Sequence, residues 1–456
     1  MSKAASTVLT TTIACALALA CLPTRAVQLD SRAAIERAVH HIDNDRFSLA
    51  RSYLEVPLID QRITTTERSR AYYLQGYSFE QQFLYRSAAQ EYTKALAFNP
   101  ANPATLTALG YLNYKGLGVE KSHAEASRLL SAAAQLGHAP AMTGLGTLLL
   151  EGHGVEQNIT AARDWLRRAT EANHGPAYVV LGKSYRSAYV NPPDPIQAQR
   201  YFEKAMVLNQ PEALLALGHM HLNGEFGEAD ATTAAQFFDR ASKRGVAQAQ
   251  ASLAYLYLQG QGVEKNHQRA TQLYEQAAQQ GSAAAHYGLA YLNELHADLS
   301  SDSVAQAATQ SHYEYAARAG YAPAQLALSR AASDVGDSER ALHWLRQAAR
   351  QGTRRAYNRL AWLLATSPVD TLRDGTEAVE YALKAVEQQQ TSATLDTLAA
   401  AYAEAHQFKD AIDAQTSAIE HLQAETLPGG TESDIRKDYE RRLRGYQEGL
   451  PWRDTP

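Results

Sequence analysis

The sequence predicts an all-α chain built as an open array of stacked helix pairs, and three regularities between Asn102 and Ser282 predict it. The pair Leu-Gly or Leu-Ala recurs at Leu109, Leu145, Leu181, Leu217, Leu253 and Leu289, each 36 residues after the last. In phase with it, Ala133, Ala169, Ala205, Ala241 and Ala277 keep the same 36-residue interval. So do the bulky Leu130, Leu166, Phe202, Phe238 and Tyr274. A fixed period of this length belongs to a repeat architecture rather than to a closed globular domain.

Each phrase obeys one packing logic. The first helix carries a small Gly or Ala, which lets its neighbour approach closely. The second carries the bulky residue with a small Ala three positions on, which puts both on one face. A lone pair cannot bury that face, so copies must stack on one another. Between the helices lie Gly116-Leu117-Gly118-Val119, Gly152-His153-Gly154-Val155 and Gly260-Gln261-Gly262-Val263. There glycine can take the left-handed conformation that ends a helix.

The string LGYLNYKGLGVE from Leu109, the spaced Ala and Leu residues from Ala126 and the closing Gly137 resemble the Sel-one-like repeat, a relative of the tetratricopeptide repeat. LAYLYLQGQGVEKN from Leu253 is closer still. The resemblance implies a right-handed superhelix of antiparallel helix pairs that binds other proteins or peptides, without catalysis or cofactor of its own. Two copies depart from the pattern. Ser187 to Pro195 replaces the glycine loop with a proline-rich one, and Gly224 to Gly227 carries a spacer.

The array is expected to run from 103 to 353, flanked by other units. Residues 31–68 read as a degenerate N-terminal capping repeat, with Ala34, Ile35 and Ala38 on one face and Phe47, Ala50 and Leu54 on another. Residues 69–102 resemble a full tetratricopeptide repeat through Tyr72, Gly76, Phe79, Ala88, Tyr92, Ala95 and Pro100. The interval from Tyr274 to Tyr313 is 39 residues, which places an insertion in the loop Ala297 to Val304. Residues 354–426 resemble C-terminal tetratricopeptide units. After the break at Pro428-Gly429-Gly430, residues 432–449 read as a charged capping helix whose Lys437, Glu440, Arg441, Arg442 and Arg444 suit a solvated face.

The first 26 residues read as an export signal, with Lys3 ahead of an almost wholly apolar Val8 to Leu22. That apolar core is too short for a lasting membrane anchor. LALAC from Leu17 resembles a bacterial lipobox and makes Cys21 a candidate for lipidation; Ala18-Leu19-Ala20 equally suits ordinary signal peptidase, and cleavage at the later site after Ala26 discards Cys21. Cleavage there would take the formal charge from −5 to −7 through loss of Lys3 and Arg25. The two cysteines, Cys15 and Cys21, both fall in this segment, so the remainder has no thiol for a disulfide, a nucleophile or a thiolate metal site. The expected location is the periplasm, with membrane attachment only through lipid on Cys21.

A charge of −5 and a pI near 6.3 leave no basic footprint for nucleic acid. Chemistry is equally hard to find. Gly116-x-Gly118 before Lys121-Ser122 imitates a phosphate loop but joins helix to helix, where a phosphate loop follows a strand. His40 and His41 are adjacent and diverge around a helix, as do His219 and His221, so neither pair forms a metal motif. Glu151, Asp164 and Glu203 lie scattered among basic residues, as on a solvated face. No catalytic or metal residue is therefore assigned.

What remains is a surface. In the tetratricopeptide family the first helix of each unit lines the concave side. The position after the Leu-Gly or Leu-Ala pair then projects into the groove, giving the row Tyr77, Tyr111, Thr147, Lys183, His219, Tyr255, Tyr291, Leu328 and Trp362. Aromatic rings flank a cationic centre at Lys183, suited to a peptide with an acidic group or a terminal carboxylate. The bland alternative is that the rings are half-buried core. The reading is a non-catalytic adaptor of the bacterial cell envelope that binds a partner along the groove. One alternative is an outer-membrane lipoprotein scaffold for envelope polymer export; another is an enzyme or regulator of cell-wall metabolism.

Overall fold

The computed structural model describes residues 30–186, 192–296, 303–424 and 432–454. Those residues form 23 α-helices and one short 3₁₀ turn, with no strand among them. The export signal with Cys21, the core of the proline-rich loop, most of the expected insertion and the Pro428-Gly429-Gly430 break lie outside the described residues. No helix among the described residues is long and apolar enough to cross a membrane.

The chain divides into two compact units, one through Leu217 and the other from Gly218. In the first, successive helices such as Pro103–Lys115, His123–Gln135 and Ala139–Glu151 pack in sequence order, and alternate helices also meet. The second repeats this order from Ala231–Ser242 onward, ending with Phe408–Ala424 against Glu432–Gln447.

The expected fit of small against bulky residues is present. A β-carbon added at Gly146 would stand 2.7 Å from Leu166 Cγ, and one at Gly218 only 2.4 Å from Phe238 Cε1. Leu166, Phe202 and Phe238 are fully buried, as are Ala169, Ala205 and Ala241 one turn on. Burying such side chains stabilises each pair by roughly 1.5–3 kcal/mol per large residue.

The glycine loops act as the spacing suggests. Gly116, Gly152 and Gly260 cap their helices in the left-handed region. The second glycine of each loop also makes a close approach: a β-carbon on Gly262 would lie 2.2 Å from the Ala231 carbonyl carbon. The second helices also carry start signals of their own. Ser122, Asn158, Asp194, Asp230 and Asn266 each accept a hydrogen bond from a backbone N–H three residues on.

The C-terminal helix corrects one expectation. Arg442 is not on a solvated face but 9% exposed, and its Nε and Nη2 donate to the Asp396 carboxylate at 2.8 and 3.0 Å. Gln415 Nε2 donates to the same carboxylate at 2.8 Å. Burial pushes the Asp396 carboxyl upward, and the Arg442 and Gln415 contacts pull against it. A cap over an apolar face thus closes on a buried ion pair, which the charge run alone did not signal.

Candidate functional site

The second unit holds a cavity of about 530 Å³ whose walls are aromatic. Helix Ala247–Gln259 contributes Gln248, Ala251, Ser252, Tyr255, Leu258 and Gln259, a single stripe at i, i+3, i+4 and i+7 spacing. Helix Ala283–His296 contributes Ala284, Tyr287, Gly288 and Tyr291 at the same spacing. His219, Leu222 and Tyr321 complete the wall, and the buried Tyr274 forms the floor.

Gly288 makes room for that floor, since a β-carbon there would lie 2.4 Å from Tyr274 Cζ. The Tyr287 ring meets Tyr321 at 5.4 Å and Tyr313 at 5.7 Å, and His219 stands edge-on to Phe238 at 4.9 Å. Tyr274 is 4% exposed, whereas Tyr255 and Tyr291 are 47% and 39% exposed. The floor is rigid core and the rim is open.

No Asp, Glu, Lys or Arg lines the cavity among the described residues. Burial, then the nearby hydroxyls of Tyr321, Tyr255 and Tyr287, holds Tyr274 above the ordinary phenol range. Burial likewise raises Tyr287, with Glu294 and Tyr291 adding to it, and raises Tyr321 beside Tyr287. These hydroxyls keep their protons at neutral pH and can donate or accept hydrogen bonds. The arrangement offers flat apolar faces with neutral polar tips. It suits binding.

The sequence-derived row is thus divided. His219, Tyr255 and Tyr291 come together in this cavity. Trp362 lines a second cavity in the same unit, with its indole N–H donating to Asp454 Oδ2 at 2.7 Å. In the first unit, Tyr77 is half-buried and stacks on Tyr73 at 6.4 Å. Tyr111 donates its hydroxyl to the Pro140 carbonyl at 3.1 Å, and burial pushes its pKa up to about 12. Thr147 turns its hydroxyl back to the Thr143 carbonyl, and Lys183 is exposed in the last turn of its helix.

Leu328 is a correction: it is 3% exposed and packs with Ala290 and Tyr313, so the cavity wall at that repeat is its neighbour Ser329. An aliphatic side chain at that position gains more from the core than from the groove. Tyr287 and Tyr321 were missed. Tyr287 lies one turn before Tyr291 and could have been found by extending the stripe to i−4; Tyr321 is the extended residue that caps the start of helix Ala322–Asp334, where helical spacing gives no signal.

Elsewhere, Glu151 accepts from Tyr114 and approaches His153, both at 3.0 Å, and Asp164 pairs with Arg167 at 2.7 Å. His41 stacks on Tyr53 at 5.1 Å. Among the described residues no three His, Cys, Asp or Glu side chains gather as a metal site.

The Sel1 repeat model matches residues 103–138, 139–174, 177–205, 211–246, 247–282, 324–353 and 354–389, together just over half the chain. The chain belongs to the Sel1 repeat family. The last match takes in 354–389, where the sequence strings pointed to tetratricopeptide units. Among solved structures, c5321, a protective antigen of uropathogenic Escherichia coli with an SLR fold, is 22% identical, with 92% of this chain and 90% of that one covered at a TM-score of 0.45. A Sel1 repeat protein from Oxalobacter formigenes is 25% identical over 54% of this chain and 96% of that one, TM-score 0.43. The APC/C hetero-tetramer Cut9-Hcn1 gives 15% identity over 90% and 84%, TM-score 0.49. No curated protein sequence matches. Repeat folds of the Sel1 and tetratricopeptide type generally bind other proteins and typically act as non-catalytic scaffolds.

Proposed function

We propose that this Sel1 repeat chain is an exported adaptor of the bacterial cell envelope, and that its second unit grips an uncharged, apolar segment of a partner protein in the tyrosine cavity. The observation that carries the reading is the pairing of a buried Tyr274 floor with the open rings of Tyr255 and Tyr291. Tyrosine supplies large contact area at low entropic cost, and such residues dominate binding energy where a pocket surrounds them. A helical scaffold also has its backbone hydrogen bonds satisfied internally, so side chains must do the recognising.

Crosslinking in cells followed by purification tests it. Tyr255→Ala with Tyr291→Ala should fold normally and lose the partner recovered with the unaltered chain; equal recovery contradicts the reading. Export is supported by the apolar Val8 to Leu22 after Lys3. Fractionation of the signal-intact chain in a Gram-negative host should place it in the periplasm, and recovery from the cytoplasm contradicts this. Cys21 after Leu17-Ala18-Leu19-Ala20 favours a second reading, an outer-membrane lipoprotein scaffold for envelope polymer export. Mass spectrometry decides between them: lipid on Cys21 supports the second, and a mature terminus at Val27 excludes it.

A further inference from the structure

The larger cavity of the second unit, about 830 Å³, is lined by the inner faces of helices Ala322–Asp334, Arg354–Thr366 and Ser392–Glu404, together with the end of the chain. Its polar groups fall into two sets. One set is occupied by this chain. Asp454 Oδ2 accepts from Trp362 Nε1 at 2.7 Å and from Thr366 Oγ1 at 2.9 Å, while the Asp454 backbone N–H donates to the Thr366 carbonyl at 2.9 Å. Asp396 is taken by Arg442 and Gln415.

The other set has no partner among the described residues: Arg359 and Asn358, about one turn before Trp362 on the same helix, and Ser329 on helix Ala322–Asp334. Arg359 is half-buried and makes no hydrogen bond or ion pair with any described residue; Asp334 acts on it only through longer-range attraction. Ser329 Oγ is fully buried without a partner, and Asn358 Oδ1 is buried without one. Burial and the like charges of Arg330 and Arg355 disfavour the Arg359 cation, an excess of positive charge in a chain of formal charge −5. Unmet buried polar groups are costly and native folds seldom keep them together.

The occupied set shows what this wall receives: an extended segment whose Asp side chain accepts two hydrogen bonds while its own backbone N–H donates one. The unpartnered set offers the same kinds of group to that cavity. Arg359 and Ser329 can donate to a carboxylate, and Asn358 Oδ1 can accept from a backbone N–H. We infer that this cavity is a second docking site, which takes an Asp or Glu side chain from an extended segment of a partner protein, with the adjoining apolar side chain against Trp362. The inference rests on the reading of the chain as a protein-binding scaffold but not on the tyrosine cavity.

The test uses the full chain and two fluorescent, N-acetylated, C-amidated hexapeptides, one alternating Leu and Asp and the other Leu and Asn, read by anisotropy. The Asp peptide should bind about tenfold more tightly than the Asn peptide. Arg359→Gln should abolish that preference without lowering the unfolding temperature, because Arg359 has no ion pair to lose. Tyr255→Ala with Tyr291→Ala should leave the preference intact, so failure of the first site and failure of this one are told apart. Equal affinity for the two peptides, no binding of either, a preference surviving in Arg359→Gln, or a marked loss of stability in that variant each overturns the proposal.

Discussion

Tyr111 in the first unit and Tyr255 in the second stand at the same point of the repeat, four copies apart, yet one is closed and the other open. The cause is a neighbour. At the first site the space over Gly144 is shared: a β-carbon there would lie 3.0 Å from Tyr111 Oη and 3.1 Å from Leu130 Cδ1. A leucine of ordinary size leaves room for Tyr111 to fold over Gly144 and bond to Pro140. At the second site the residue in the place of Leu130 is Tyr274, and its ring is what a β-carbon on Gly288 would strike first. Tyr255 is left at the rim, 47% exposed. A groove residue becomes available because a floor residue is large, not because of its own identity.

Substitutions of the two glycines should separate the sites most sharply. Gly288→Ala drives a β-carbon into a fixed ring and should cost about 2–3 kcal/mol in urea unfolding. Gly144→Ala meets only the movable ends of two side chains and gains helix propensity, so it should stay within about 1 kcal/mol of the parent. Equal losses would break the comparison.

Tyr274→Leu should make the second site resemble the first, at a cost of about 1–2 kcal/mol. With the floor lowered, Tyr255 should turn inward. Nitration followed by mass spectrometry should find Tyr255 less reactive, and the crosslinked partner should be lost. Unchanged reactivity would show that the floor does not control the rim.

The smallest expected effect is on pH. His286 and His312 face each other at 2.8 Å in the second unit, and burial lowers the pKa of both; burial also lowers His138 and His174 in the first. A histidine with a lowered folded-state pKa binds fewer protons folded than unfolded, so its stabilisation is complete above the unfolded value and is lost as pH falls. The unfolding temperature should drop by a few degrees between about pH 7.5 and about pH 5. A rise over that interval would contradict the assignment.

The helix pairs, their phase and the fit of Leu166 or Phe238 against glycine were legible because they are local and repeated. The glycine caps followed from residue type. Burial along the groove was not, since it depends on a side chain in the same or the next repeat, as Leu130 and Tyr274 show. Leu328 followed the pattern in sequence and still went to the core. Arg442 looked like solvated charge until its partner 46 residues earlier came into view. The open state of Arg359 was hidden for the same reason: whether a charge is paired is decided across helices.

A photo-crosslinking residue placed at Tyr291 and, in a separate variant, at Tyr111 tests the account most directly. After irradiation in cells, the Tyr291 position should yield a discrete partner adduct that Tyr274→Leu removes, and the Tyr111 position should yield none. Adducts of equal yield from both positions, or none from Tyr291, would contradict the tyrosine cavity as the binding surface.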